Sequence, residues 1–116
     1  MGARGVIGAG GALAVIVSAL VASADPKPAV DIQIFQFQPA AIEVKAGTAI
    51  TWTNRDDIEH TVTSGDPEHR TGRFDLLLPS RGTTTRVNFS EPGVYLYFCD
   101  RHPSMRGEIR VNRPES

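Results

Sequence analysis

The punctuation of this sequence constrains its fold more than any other feature. Between Val30 and Asn112, Gly- and Pro-bearing turns recur every few residues, and the runs between them tend to alternate apolar with polar side chains. The clearest case is Thr83, Thr85, Val87 and Phe89 interleaved with Thr84, Arg86 and Asn88. Pro79-Ser80-Arg81-Gly82 precedes this run and Ser90-Glu91-Pro92-Gly93 follows it. A period of two places one face of a strand on a core and the other in water. Val30, Ile32 and Ile34 start the same way, but the parity then switches to Phe35 and Phe37, which predicts a β-bulge or a strand that changes partner. Pro39 ends that run. Ile42 and Val44 mark a short strand before the Lys45-Ala46-Gly47 turn. Ile50 and Trp52 alternate with threonines, which predicts a half-buried strand with Trp52 in the core. Asn54 to Asp57 reads as a polar turn, His60 to Ser64 as a strand and Gly65 to Gly72 as a loop. Phe74 and Leu76 to Leu78 then supply apolar surface. Val94 to Phe98 reads as a strand running into Cys99. Gly107 to Asn112 is the last, with Ile109 and Val111 facing inward. No stretch has the period of an amphipathic helix. Seven or eight short strands of this kind predict an all-β sandwich.

The first 24 residues stand apart from that pattern. Arg4 gives a basic start, Val6 to Ala22 is uncharged and rich in Ala, Val, Ile and Gly, and Ala22-Ser23-Ala24 offers the small residues at which a signal peptidase cuts. The expectation is a secretory signal over 1–24 and one domain over 25–116. An uncleaved anchor is the alternative, although the apolar run is marginal for spanning a bilayer. Cleavage leaves 92 of the 116 residues, with 11 basic against 13 acidic side chains. Such a near-neutral chain lacks the basic patch that nucleic-acid binding needs. The chain carries one cysteine. In an exported protein a lone Cys99 has no internal disulfide partner, so the expectation is a buried or metal-bound thiol.

Cys99 heads the segment Cys99-Asp100-Arg101-His102-Pro103-Ser104-Met105, which collects a thiol, an imidazole and a thioether just after a strand. That soft set suits copper and, less selectively, zinc. A second imidazole has to come from elsewhere. His69 lies between Glu68 and Arg70 in a charged loop and reads as solvated, whereas His60 opens a strand. Weighed with the incomplete set, His60 is the better candidate, and two His, one Cys and one Met make the donor set of a blue-copper site.

The segment from Tyr95 to Gly107 resembles the copper loop of the cupredoxins, and its Cys-x-x-His-x-x-Met spacing is most similar to that of amicyanins and plastocyanin-like proteins. Phe37-Gln38-Pro39, Gly47 to Asn54, His60-Thr61-Val62 and Glu91-Pro92-Gly93-Val94-Tyr95 fall in the same family order, so the resemblance spans about residues 31–112. It implies a Greek-key β-sandwich with one type 1 copper ion at one end. His60, Cys99 and His102 would be equatorial ligands and Met105 the axial one. It also implies core positions for Tyr95 and Tyr97, with Tyr95 forming a tyrosine corner, and a bracing role for Asn54 between the loops around the metal. Two positions depart from the pattern. Thr61 stands where many relatives have Asn, so a side-chain link between the ligand loops is not carried over. Phe98 replaces the tyrosine that precedes the ligand cysteine in photosynthetic plastocyanins, so docking through that tyrosine is not carried over either.

The function so implied is transfer of single electrons between transient donor and acceptor proteins in the periplasm or outside the cell. The protein would be a monomer without stable membrane association. His102, with Pro39 and Pro103 beside it, would be the electron port and would detach on protonation in the Cu(I) state. Three histidines are too few for a multicopper oxidase or a copper nitrite reductase, so no enzymatic activity is expected. A copper carrier or storage protein using the same residues is the alternative. Asp56, Asp57 and Glu59, clustered before His60, read as a solvated turn or a face for a basic partner.

Overall fold

The structure is a computed structural model that describes residues 28–114. The expected signal segment, 1–24, lies outside the described residues. Among the described residues nine strands form two sheets: β1 (Ala29–Gln33), β2 (Gln36–Gln38), β3 (Ala41–Lys45), β4 (Thr48–Asn54), β5 (His60–Asp66), β6 (His69–Leu78), β7 (Thr84–Phe89), β8 (Gly93–Phe98) and β9 (Arg106–Asn112). One sheet runs β2-β1-β4-β7, the other β3-β9-β8-β5-β6. Each is mixed, because β1 pairs parallel with β4 and β3 parallel with β9. The all-β sandwich read from the turn pattern is therefore the fold.

The alternation locates the core. Val30 and Ile32 from β1, Ile50 and Trp52 from β4, Tyr97 from β8 and Ile109 from β9 point into one apolar cluster between the sheets. Trp52 meets the Tyr97 ring edge-on at 5.4 Å, and Phe37 meets it at 4.6 Å. Tyr97 packs this closely only because position 107 on β9 has no side chain: a Cβ there would overlap the ring at Cζ and Oη. Tyr95 is half-buried and its hydroxyl donates to the Glu91 carbonyl at 2.7 Å, closing the tyrosine corner that the resemblance implied.

The structure revises two sequence expectations. The parity switch at Ile34–Phe35 is neither a bulge nor a change of partner within one strand. The chain reverses there, and β1 and β2 pair antiparallel with Gln33 opposite Gln36. Ile34 and Phe35 both have positive φ, 54° and 56°, the conformation of a two-residue type I′ hairpin. Asn-Gly is the usual signal for such a turn, and Ile-Phe conceals it; this split is why nine strands stand where seven or eight were expected. The second revision concerns Gly65 to Gly72. Instead of a loop, β5 and β6 continue to a tight turn at Pro67–Glu68, with Gly65 opposite Arg70 and Asp66 opposite His69. The Asp66 carboxylate accepts the amides of Glu68 and His69, both at 2.9 Å, and so supplies locally what the turn needs.

Candidate metal centre

Two neighbouring strands of one sheet carry the site. His60 is the first residue of β5, and Cys99 follows the last residue of β8. The two strands pair through Thr63–Phe98 and Ser64–Tyr97, so their ends at this edge of the sandwich come together. Beyond Cys99 the chain is wound by three backbone hydrogen bonds. The His102 amide donates to the Cys99 carbonyl at 3.2 Å, the Met105 amide to the His102 carbonyl at 2.8 Å, and the Cys99 amide to the Met105 carbonyl at 3.1 Å. The spacing of the motif is thus the spacing of its turns: Cys99, His102 and Met105 are the residues whose backbones close the loop.

His60, Cys99 and His102 bring their donor atoms within 4.8 Å of one another. Cys99 Sγ lies 3.7 Å from His60 Nδ1 and 3.8 Å from His102 Nδ1. For a first-row metal with sulfur at about 2.3 Å and nitrogen at about 2.0 Å, a 120° angle separates the two donors by about 3.7 Å. Both S–N sides therefore match a trigonal N₂S ion. His60 and Cys99 are fully buried, and Met105 is 3% exposed. His102 is half-buried. His69, by contrast, has an 81% exposed side chain at the far hairpin, paired with Asp66.

Hydrogen bonds fix the orientation of these donors. The Thr61 amide donates to Cys99 Sγ at 3.4 Å and orients the sulfur. The Thr61 hydroxyl accepts the Asp100 amide at 2.7 Å, so a side-chain link between the two ligand loops is present although the residue is not Asn. Its direction can be followed outward. Thr63 Oγ1 donates to Asp75 Oδ1 at 2.9 Å, and Thr61 Oγ1 lies 2.9 Å from Thr63 Oγ1. An amide at one end and a carboxylate at the other require Asp100 N–H to Thr61 to Thr63 to Asp75, with each hydroxyl donating onward. Asn54, fully buried, donates to the carbonyls of Ile58 and Leu78 at 2.9 and 3.0 Å and accepts the Asp56 amide at 2.9 Å. It braces the segment leading into His60, as the resemblance implied.

Two residues at the site were not singled out from the sequence. Asp56, read as one acid of a solvated turn, places Oδ2 at 2.8 Å from His60 Nε2. That assigns the ring proton to Nε2 and leaves Nδ1 a free donor aimed at Cys99. Burial alone would push the Asp56 carboxyl up, but hydrogen bonds from the Phe35 amide, the His60 ring and the Ile34 amide outweigh it and hold it below the ordinary range. Phe35, read only as a strand residue, sets its ring edge-on to His60 at 5.3 Å and to His102 at 4.7 Å. The i, i+4 spacing of Asp56 and His60 was a faint signal for the first, and the broken parity at Phe35 for the second. The remaining acids are also engaged: Asp57 pairs with Arg81 at 2.6 Å and Glu59 with Arg101 at 3.3 Å. Arg70 pairs with Asp100, and its guanidinium lies over the Phe98 ring at 5.5 Å. The acidic cluster before His60 is therefore a set of intramolecular partners rather than an open negative face.

Comparison with known proteins agrees with this geometry. The family model for copper binding proteins, plastocyanin/azurin family, matches residues 24–112. Amicyanin-alpha of Methylorubrum extorquens is 34% identical over 105 residues, covering 89% of this chain and 83% of that protein. The chloroplastic plastocyanin of Tetradesmus obliquus is 31% identical, covering 94% and 78%. Among solved structures, a purple cupredoxin from Nitrosopumilus maritimus superposes with a TM-score of 0.67 at 28% identity, covering 74% of this chain and all of that one. A Cu(I) structure of an amicyanin variant gives 0.64 at 30% identity, covering 79% and 88%. The donor triangle, the sandwich and a family match across nearly all of the described chain lead to one assignment: this chain belongs to the plastocyanin/azurin family of copper-binding proteins, the cupredoxins.

Proposed function

We propose that the protein is a small exported carrier of single electrons, with copper held by His60, Cys99, His102 and Met105 and with residues 1–24 removed on export. The observation that carries this reading is the N₂S triangle, buried at His60 and Cys99 and half-buried at His102, with Sγ–Nδ1 separations of 3.7 and 3.8 Å. Bound copper would supply a one-electron Cu(I)/Cu(II) couple. The chain's own residues supply rigidity and access. The Asp56–His60 bond, the Thr61 amide on Cys99 Sγ and the three loop hydrogen bonds hold the donors in one arrangement, so little rearrangement accompanies a change of charge. The half-buried His102, beside Phe35 and Pro103, is the route by which an electron leaves for a transiently bound partner protein. Ile34 and Phe35, 72% and 46% exposed, give that rim an apolar surface suited to brief, low-area contacts.

The test is optical. The chain lacking residues 1–24, loaded with Cu(II), is expected to show an intense visible thiolate-to-copper band that bleaches on reduction and is lost in Cys99→Ala. An absent band, or one that survives in Cys99→Ala, overturns the reading in favour of exchangeable copper storage or another metal.

A further inference from the structure

We propose that Asp56 is a positioning residue that locks the exposed Ile34–Phe35 turn and His60 to each other, so that the apolar rim and the metal ligand behave as one unit. The inference rests on the reading of His60 as a copper ligand.

One carboxylate makes three bonds. Oδ1 accepts the Ile34 amide at 2.8 Å, and Oδ2 accepts the Phe35 amide at 3.0 Å while lying 2.8 Å from His60 Nε2. Both turn residues have positive φ, a conformation that is costly for a bulky side chain and especially for the β-branched Ile34. Nothing in the Ile-Phe pair favours such a turn. Beyond the Gln33–Gln36 pairing that flanks it, the bonds to the turn's own two amides come from residue 56, more than twenty positions away. Asp56 is itself fixed, because its amide donates to Asn54 Oδ1 at 2.9 Å and Asn54 is anchored to two further carbonyls. The consequence of the lock is the placement of Phe35, whose ring edge-on to His60 and His102 covers both imidazoles. A carboxylate on the outer nitrogen of a ligand histidine also makes the inner nitrogen a better donor, which favours Cu(II). The residue that shapes the rim thus also sets the strength of a ligand.

Two substitutions and two readouts test this. In the metal-free protein, the amides of Ile34 and Phe35 are expected to be protected from hydrogen exchange despite their exposure. Asp56→Ala should accelerate both at least tenfold while leaving the Trp52 amide on β4 unchanged, and His60 should lose its Nε2–H tautomer by nitrogen NMR. In the copper-loaded protein, Asp56→Asn with an unaltered circular dichroism spectrum should shift the couple about tenfold toward Cu(I), which is 59 mV for one electron. Unprotected amides at 34 and 35 in the unmodified chain overturn the proposal, and that measurement stands even if Asp56→Ala does not fold. An unchanged potential in Asp56→Asn overturns it as well. Failure of the electron-carrier reading looks different: the unmodified protein would lack the intense band, while the amide and imidazole measurements would still decide the role of Asp56.

Discussion

The Tyr97 hydroxyl sits unpaired in the core and contributes nothing to holding it together. Tyr97 is 1% exposed, and neither its Oη nor the neighbouring Trp52 Nε1 has a hydrogen-bond partner of ordinary geometry. Burial pushes the hydroxyl up from 10.0 to about 12, with the Trp52 indole N–H acting weakly in the opposite direction. An unpaired buried hydroxyl costs about 1–3 kcal/mol, and deleting one oxygen leaves a void worth about 1 kcal/mol or less. Tyr97→Phe should therefore be neutral to stabilising by about 1–2 kcal/mol at pH 8, against the usual sign for a core substitution. The pH dependence sharpens the test. A group whose folded value lies above its unfolded one contributes stability that is complete below the unfolded value and is lost as pH rises through the folded value. With values near 10 and 12 the loss is about 1.4 kcal/mol by pH 11 and approaches about 2.7 kcal/mol above pH 12, at 1.36 kcal/mol per unit. Urea denaturation of matched metal-loaded samples from pH 8 to 11 should show the advantage of Tyr97→Phe widening by about 1.4 kcal/mol. A constant difference across that range, or a variant destabilised by more than about 1 kcal/mol at pH 8, would refute the reasoning and mean that the hydroxyl is paired.

Two other substitutions probe how the frame supports the centre. Gly107→Ala places a Cβ on the Tyr97 ring, and overpacking of this kind should cost about 1–3 kcal/mol in chemical denaturation. That cost should shrink in a Tyr97→Leu background, whereas an undiminished cost would locate the strain in the β9 backbone. Thr61→Val keeps the shape but breaks the hydroxyl chain from the Asp100 amide to Asp75. The expected loss is about 1–2 kcal/mol together with faster metal release to a chelator, and unchanged release would mean that the link does not hold the copper loop.

The sandwich could be read from the sequence because its signals are local. Thr83 to Phe89 carries its alternation and both of its turns within the fifteen residues 79–93, and Trp52 and Ile109 fall on buried faces that their neighbours already indicate. The donors were legible for a similar reason: the loop that spaces Cys99, His102 and Met105 is closed by hydrogen bonds among those same residues. His60 was harder, since its place depends on β5 lying beside β8, a pairing that no residue near His60 announces. The Ile34–Phe35 turn and the role of Asp56 left only faint marks, a broken parity and an i, i+4 spacing to His60. Each is defined by the other across more than twenty positions, and taken singly each has a plainer reading. Ile-Phe looks like strand, and an aspartate in Asn-Arg-Asp-Asp looks like solvated turn. Of the two departures from the local reading, the β5–β6 turn is made by its own Asp66, whereas the strained turn held by a distant carboxylate lies beside the metal centre.

Charge around the centre leads to the last expectation. Small carriers often gain speed from a surface field of one sign that steers an oppositely charged partner, worth 10–10³ in on-rate at low salt. The acids nearest His60 would provide such a field if they faced outward unpaired. Only Asp56 turns inward, to His60 and the turn amides; Asp57, Asp100 and Glu59 reach solvent, but each is paired there with an arginine, Asp57 with Arg81, Glu59 with Arg101 and Asp100 with Arg70. Each pair cancels at short range and leaves dipoles, whose reach is well inside the roughly 10 Å screening length at 0.1 M salt. What remains at the rim is the apolar Ile34–Phe35 tip. Recognition should then depend on contact rather than steering. Stopped-flow oxidation by hexacyanoferrate and reduction by hexaammineruthenium carry opposite charge to the same edge, and between about 10 and 200 mM salt each rate should change by well under tenfold. A strong, oppositely signed salt dependence for the two reagents would show that the pairs open in solution and that the acidic turn does face outward unpaired. Truncation of Ile34 should then leave rates with a protein partner unchanged. If the pairs hold, Ile34→Ala should weaken partner association severalfold while both small-reagent rates stay as they were.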